Sequence, residues 1–214
     1  MMKVFSLFAL IILFPFYLWA NVIDIAQRGA KNDGLTDNTL CIQDAIDECH
    51  KKGGGVVLLS GGGKYLSGTL FLKSYVTLRI GNGTTLLASP RIEDYSEDTH
   101  KNMYKSESHM DRCFIYAENA NSIVLDGYGT IDGNGFVSNF PRQRPMMIRF
   151  KDCRRITLKD LSLVNPAAWV SAWLYCDDIT VSGIRIVSRV NRNGDGLDFD
   201  GCTNVRVTNS SFDT

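Results

Sequence analysis

The sequence has 214 residues, of which 23 are lysine or arginine and 23 are aspartate or glutamate, so its formal net charge is zero. This balance excludes a net positive charge that would attract nucleic acid or an anionic membrane over a long range. Any partner must therefore be recognised by a local part of the surface. Residues 21–214 are enough for one domain with a sizeable core, and no second domain is indicated.

A signal peptide is predicted at residues 1–20. Lys3 provides one positive charge, residues 4–19 are almost continuously apolar, and the small Ala20 precedes the polar Asn21. The apolar run is shorter than the roughly 20 residues that a membrane-spanning helix needs. The pattern predicts cleavage near Ala20, with an uncleaved anchor as the alternative. We therefore expect a secreted or periplasmic protein with no membrane partner after cleavage.

One amphipathic helix is predicted near the start of the mature chain, at residues 40–52. Apolar residues recur there at the spacing of a single helix face, and a glycine run that begins at Gly53 ends the helix. The residues of the apolar face are Ile42, Ala45, Ile46 and Cys49. Short strands separated by glycine-rich and asparagine-rich turns are predicted next. They are placed at residues 56–59, 65–72, 76–80, 85–87 and 123–125.

Three later segments repeat one pattern, beginning at Cys153, Cys176 and Cys202. In each segment a strand starts three residues after the cysteine. The two intervals between successive strand starts are unequal, but each is roughly 25 residues, which is typical of one coil of a solenoid. Stacked coils would place the cysteines about 4.8 Å apart, where they fill a narrow interior corner. Buried free thiols are the favoured interpretation, and one or more disulfides are the alternative.

The predicted fold class is therefore all-β, a single-stranded right-handed parallel β-helix with an N-terminal capping helix at residues 40–52. A sandwich would not repeat its sequence, and the leucine and asparagine pattern of leucine-rich repeats is absent. A cap is expected because an open end would expose unpaired strand edges.

The chemistry-bearing segment is residues 191–202, which interrupt the coil pattern with carboxylates and glycines. Asp198 and Asp200 alternate with apolar residues and are expected to project outward from a strand. Asp195 lies between two glycines, which allows a bend that presents its carboxylate clear of the strand.

Residues 193–198, Asn-Gly-Asp-Gly-Leu-Asp, resemble the Asn-Thr-Asp-Gly-Ile-Asp motif of glycoside hydrolase family 28, the polygalacturonases and their relatives, with Gly194 in place of threonine. Further similarities lie at residues 28–37, 127–135 and 144–150. The resemblance implies inverting hydrolysis of glycosidic bonds in a pectic polysaccharide. In that reaction one carboxylic acid protonates the leaving oxygen while a carboxylate activates water.

The resemblance implies a role for each site residue. Asp195 matches an aspartate on the water-activating side and is the predicted catalytic residue, with a turn-capping aspartate as the structural alternative. Asn193 and Asp198 are predicted to bind substrate. No cofactor and no metal are predicted, and the partner is expected to be a polysaccharide, not a nucleic acid.

A partner acid for Asp195 is expected one coil away. One coil forward from Asp195 leads to positions 216–221, beyond Thr214, and Ala172, which cannot ionise, stands one coil back when the shorter repeat interval is applied. The resemblance implies that the family's paired aspartates, its histidine and its arginine-lysine pair follow the residues matching 211–214. We therefore expect a domain that is incomplete at its C-terminal end, with negligible hydrolysis by this polypeptide alone.

Other functions stay open from the sequence. Asp195, Asp198 and Asp200 are alternatively the calcium ligands of a polysaccharide lyase. The chain is alternatively a non-catalytic carbohydrate-binding or structural β-helix, because fold alone does not determine function. Trp169 and Trp173 either stack on sugar faces or fill coil corners.

A basic cluster precedes the second repeat. It either attracts an acidic polysaccharide or, by the favoured interpretation, forms a solvated strand face. Its members are Arg142, Arg144, Arg149, Lys151, Arg154 and Arg155. A histidine that is frequent in the family aligns with Ala172, which weakens the case for polygalacturonate as the substrate.

Overall fold

The computed structural model describes residues 21–101, 103 and 109–214, so the signal peptide predicted at residues 1–20 lies outside the described residues. The described chain consists mainly of short strands in three parallel sheets, which confirms the predicted parallel β-helix. Helix α1 spans Thr39–Lys51, one residue earlier at each end than predicted, and two 3-10 helices span Ile25–Arg28 and Ile92–Asp94. No helix among these residues is long and apolar enough to cross a membrane.

Each full coil contributes one strand to each sheet. Sheet 1 contains β1 Val22–Asp24, β3 Gly55–Leu59, β6 Val76–Ile80, β9 Asn121–Asp126, β12 Arg154–Lys159, β15 Asp177–Ser182 and β18 Thr203–Thr208. Sheet 2 contains β2 Asp33–Asp37, β4 Gly63–Ser67, β7 Thr84–Ala88, β10 Thr130–Asp132, β13 Ser162–Val164, β16 Arg185–Val187 and β19 Ser211–Asp213. Sheet 3 contains β5 Leu70–Phe71, β8 Cys113–Glu118, β11 Met146–Lys151, β14 Ser171–Leu174 and β17 Asp198–Asp200.

Equivalent positions of the repeat predicted from the sequence pair with one another in sheet 1. Ile123, Ile156, Ile179 and Val205 lie opposite one another on four successive coils. The first three side chains are buried and belong to the continuous core between the sheets. The apolar alternation of the repeats that begin at Cys153 and Cys176 therefore fills the interior of the coil, as predicted, whereas Val205 in the last repeat is 38% exposed.

The repeated cysteines stack at the corner between sheets 3 and 1. Cys153 and Cys176 are buried and Cys202 is half-buried. Each thiol donates to a backbone carbonyl of its own or the preceding coil, for example Cys202 Sγ to Trp173 O at 3.2 Å. All six cysteines of the chain are free thiols, so the disulfide alternative is wrong. The favoured prediction of buried free thiols is confirmed for four of them, whereas Cys41 and Cys202 are half-buried.

The same corner is bent by residues in the left-handed region. Asn119, Asp152, Tyr175 and Gly201, each directly before a corner residue, have φ of 53°, 51°, 53° and 62°. Asparagine, aspartate and glycine tolerate this conformation best. Gly201 is also sterically required, because a Cβ there would lie 2.5 Å from the ring of Tyr175.

One predicted strand is wrong. Residues 65–72 were expected to form a single strand, but the chain turns between β4 and β5 as it passes from sheet 2 to sheet 3. Gly68 lies in this turn, and a Cβ on it would lie 2.0 Å from the carbonyl oxygen of Asp94. The close approach of these two backbones ends the strand.

Helix α1 covers the first coils, as predicted for a cap. Its apolar face is buried against β3, β5 and β6. Gln43 satisfies both backbone groups of Phe71 on the edge strand β5, accepting from its N–H at 2.8 Å and donating to its carbonyl at 3.1 Å. Unpaired strand-edge groups are thereby satisfied at this end of the solenoid.

Candidate active site

The loop that presents Asp195 connects β16 and β17 and is fixed by the preceding coil. Val170 N–H donates to the carbonyl of Asp195 at 2.8 Å, and Ser171 Oγ donates to the carbonyl of Gly196 at 3.0 Å. The indole N–H of Trp173 donates to the same Ser171 Oγ at 2.7 Å. The backbone that carries the Asp195 side chain is therefore positioned by three residues of one neighbouring strand segment.

The Asp195 carboxylate itself is exposed. No hydrogen bond or ion pair joins it to another described residue. A turn-capping aspartate would use its oxygens on nearby backbone N–H groups. An exposed, unengaged carboxylate on a fixed backbone is instead suited to act on a bound molecule.

Asp198 begins β17 and has a different environment. Its side chain is half-buried, and its Oδ2 atom is buried without a hydrogen-bond partner among the described residues. Burial, and secondly the negative charge of Asp195, raise the pKa of Asp198 to about 6. Asp198 is thus less outward-facing than the alternation predicts, and its carboxyl group is about half protonated near pH 6.

Arg144 joins this loop to two other segments. It is buried, and its Nη1 atom donates to the carbonyls of Arg192 at 2.6 Å and Ala167 at 3.2 Å. Its Nη2 atom donates to Asn193 Oδ1 at 2.8 Å and contacts His109 Nε2 at 2.8 Å. Because a guanidinium only donates, His109 Nε2 is the acceptor in this contact.

The predicted site residues therefore do not all share one environment. Asn193 is exposed, but its side-chain oxygen is already occupied by Arg144. Asp195, Asp198 and Asp200 form no cluster of His, Cys, Asp or Glu side chains able to hold a metal, within the part of the chain that the structure describes. The calcium-site alternative has no support in this geometry.

The strand register shows that Ala172 is not the residue that stands one coil before Asp195. Ala172 pairs with Asp198 and not with Asp195, because the coil at this level has the longer repeat interval and not the shorter one. The Val170 hydrogen bond places Trp169 beside Asp195 instead. Trp169 is half-buried, whereas Trp173 is fully buried between two phenylalanine rings, so Trp173 is a core residue and cannot stack on a sugar.

The predicted solvated basic face is also only partly correct. Arg142, Arg154 and Arg155 are exposed, but Arg144 and Arg149 are buried. Arg149 donates to backbone carbonyls, including Met110 O at 2.6 Å and Asp111 O at 2.9 Å. Two of the arginines are therefore internal links between loops and not part of a solvated surface.

The family model for glycosyl hydrolases family 28 matches residues 61–214, well over half of the chain and all of the candidate site. The chain belongs to glycoside hydrolase family 28.

The names of similar proteins and solved structures are consistent with this family. A Vitis vinifera protein described as "Probable polygalacturonase" is 30% identical over 210 residues, covering 88% of this chain and 41% of the relative. The exo-poly-alpha-D-galacturonosidase of Dickeya chrysanthemi is 26% identical, covering 90% of this chain and 40% of the relative. The solved Yersinia enterocolitica family 28 exopolygalacturonase superposes with a TM-score of 0.77 at 24% identity, covering 89% of this chain and 43% of that chain. The chain thus spans less than half of the length of each of these relatives.

The departure of Gly194 from the family 28 threonine has a local steric reason. A Cβ on Gly194 would lie 2.0 Å from Ser188 Oγ and 3.2 Å from Ser188 Cβ. Ser188 is buried, and its hydroxyl has no hydrogen-bond partner among the described residues. The Ser188 side chain therefore occupies the space that a larger residue at position 194 would need.

Arg144 contacts the loop of the candidate site, and this role is not predicted from the sequence. Its contacts with Asn193 and Arg192 span 49 and 48 positions of sequence, and its neighbours in the chain suggest only a charged surface. The one available signal is its place in the stretch 144–150 that resembles family 28.

Proposed function

We propose that the Asp195 site is the water-activating side of an inverting glycosidase centre that acts on pectic polysaccharide. The observation that carries this proposal is the exposed, unengaged Asp195 carboxylate on a backbone fixed by Val170 and Ser171. The site lies within the stretch that matches family 28, and the named relatives include an enzyme that acts on poly-α-D-galacturonate.

In this proposal the Asp195 carboxylate accepts a proton from water as the water attacks the anomeric carbon. Inversion requires a carboxylic acid on the opposite side of the bond, roughly 6.5 to 9.5 Å away, to protonate the leaving oxygen. We assign that proton donor to the part of the relatives that this chain does not span. The predicted inactivity of the 214-residue polypeptide alone follows from this assignment and remains part of the proposal.

Asp198 is proposed to bind substrate beside Asp195. A carboxyl group with a pKa of about 6 is partly protonated at mildly acidic pH and can then donate a hydrogen bond to a sugar oxygen. Because Oδ2 is buried, the oxygen proposed to contact the sugar is Oδ1. Asn193 is proposed to contact substrate through its amide N–H₂, since Arg144 already occupies its oxygen.

The products of polygalacturonate digestion test the proposal. A version extended to the relatives' full length should release reducing ends, and NMR of the first products should show inversion at the anomeric carbon. The product should lack the ultraviolet absorbance of an unsaturated uronate. An unsaturated product would instead establish a lyase, and binding without any bond cleavage would favour a non-catalytic β-helix.

A further inference from the structure

Two adjoining cavities form a groove along the turns between sheets 2 and 3. One, of about 550 Å³, lies between residues 90–93 and 139–143. The other, of about 350 Å³, lies between residues 137–144 and 191–192. They share Phe140, Pro141 and Arg142, and the second ends only three residues before Asp195. The groove therefore crosses several coils, and the loop that lines its second cavity continues to Asp195.

The end of the groove nearest Asp195 is positively charged. Arg142 and Arg192 line the second cavity with exposed side chains, and neither has an ion pair with another described residue. The described residues that line this cavity include no aspartate or glutamate. The first cavity differs, because Glu93 lines it and its Arg91 is paired with Asp94 at 2.9 Å. Arg142 lines both cavities, but only the second cavity adds Arg192, so it alone holds two arginines without an ion pair among the described residues.

The backbone that presents Arg192 is fixed. Its N–H donates to Asn191 Oδ1 at 2.9 Å, and its carbonyl accepts from Arg144 at 2.6 Å. Asn191 in turn donates to the carbonyl of Gly135 at 2.9 Å, which ties the loop to a preceding coil. A guanidinium on a preorganised backbone loses less entropy when it binds a ligand.

The second cavity also has apolar lining residues. Val137 is 60% exposed there, and Pro141 is also exposed. Apolar and cationic lining residues in one cavity match a sugar residue that presents both C–H bonds and a carboxylate. The cavity volume lies within the roughly 300–1,000 Å³ range of small-molecule sites.

We propose that Arg142 and Arg192 bind the carboxylate of an acidic sugar residue adjacent to the bond that is cleaved at Asp195. This inference rests on the proposed function and deepens it, because it gives the chain a means of selecting a polyuronate over a neutral polysaccharide. Arginine is suited to this task because its planar group forms paired hydrogen bonds with a carboxylate. Esterification of the uronate removes the negative charge and abolishes this recognition.

Calorimetric titration of the 214-residue chain tests the inference. The probes are trigalacturonate and its fully methyl-esterified form, which has the same sugars without charge. The variants are Arg142→Gln and Arg192→Gln, and the matched control is Arg185→Gln, an exposed arginine on β16. Each cavity variant should weaken trigalacturonate binding about tenfold, with no change for the ester. Arg185→Gln should bind like the wild type, and binding to the acid should weaken as salt rises.

Several outcomes would overturn the inference: no binding of trigalacturonate, equal affinity for acid and ester, or unchanged affinity in both cavity variants with wild-type thermal midpoints. These failures are distinguishable from failure of the proposed function. If Asp195→Asn abolishes reducing-end release by the extended version while the arginine variants bind normally, only the arginine site is wrong. If the arginine site binds the acid but no glycosidic bond is cleaved, only the glycosidase proposal is wrong.

Discussion

Arg144 Nη2 donates to Asn193 Oδ1 at 2.8 Å, and this bond links the loop before β11 to the loop that presents Asp195. The same buried side chain satisfies the carbonyls of Arg192 and Ala167. The orientation of the Asp195 loop thus depends on one arginine that approaches it from two coils away.

Replacing this arginine should destabilise the protein. Arg144→Met leaves the acceptors on Arg192, Ala167 and Asn193 without their donor, and we expect a loss of about 2–4 kcal/mol in the free energy of unfolding. The control Arg142→Met changes an exposed arginine two positions earlier and should stay within about 0.5 kcal/mol of the wild type. Urea unfolding measures both. Equal stability of the two variants would show that the Arg144 hydrogen bonds are not structural.

The contact between Gly194 and Ser188 predicts a compensating pair. Gly194→Thr should cost about 1–3 kcal/mol through overpacking against the Ser188 side chain. Adding Ser188→Gly removes the two close side-chain atoms, leaves the Ser188 carbonyl oxygen at 3.2 Å, and should recover at least about 1 kcal/mol in a double-mutant cycle. Ser188→Ala alone should be neutral or stabilising, because it removes a buried hydroxyl without a partner. Strictly additive effects in the cycle would contradict the steric explanation.

Asp198 should make stability depend on pH with a definite sign. Its folded-state pKa of about 6 lies above the ordinary value of 3.8, so the folded state binds the proton more tightly. Its contribution is fully present below about pH 3.8 and is lost as pH rises through about 6. The free energy of unfolding of Asp198→Asn, measured relative to the wild type, should therefore increase by on the order of 1 kcal/mol from pH 4 to pH 7, after allowance for solvent screening.

Denaturant unfolding at pH 4 and pH 7 measures this gain. The exposed Asp98→Asn variant is the control for a general loss of carboxylate charge. A stability difference between wild type and Asp198→Asn that is identical at the two pH values would refute the assigned burial of Asp198.

Thiol reactivity should follow the burial of each cysteine. Cys49, Cys113, Cys153 and Cys176 are buried, and burial raises the pKa of Cys113 to about 12, so these thiols should label slowly in the native protein. In denaturant without reductant, all six cysteines should label. Mass spectrometry of the alkylated protein counts them. Fewer than six labelled thiols in denaturant would reveal a disulfide.

The solenoid was predictable because its signals are local and repeated. The recurrence of cysteine three residues before an apolar position defines the register of Ile156, Ile179 and Val205. The strands β12, β15 and β18 begin two residues earlier than predicted, directly after each cysteine. The helix was equally accessible, because its apolar period and the glycine run that follows are sequence features. The strand break at Gly68 was missed, because it results from the approach of Asp94, which is distant in sequence.

The candidate site was only partly predictable. The motif at residues 193–198 identifies Asp195, but it does not show that Asp198 is half-buried or that Arg144 holds Asn193. Ala172 is not the neighbour of Asp195 that the sequence predicts, because coil length varies and the interval at this level is the longer of the two. Long-range hydrogen bonds and loop lengths decide these features, and neither has a local sequence period.

The role assigned to Asp195 can be measured as reducing-end release from polygalacturonate by Asp195→Asn. The variant should be made in a version extended to the relatives' full length, with Asp98→Asn as the matched control. If Asp195 activates water, its replacement should lower kcat by about 10²- to 10⁴-fold while the control keeps wild-type kcat. Wild-type kcat in a correctly folded Asp195→Asn protein would contradict the assignment of Asp195.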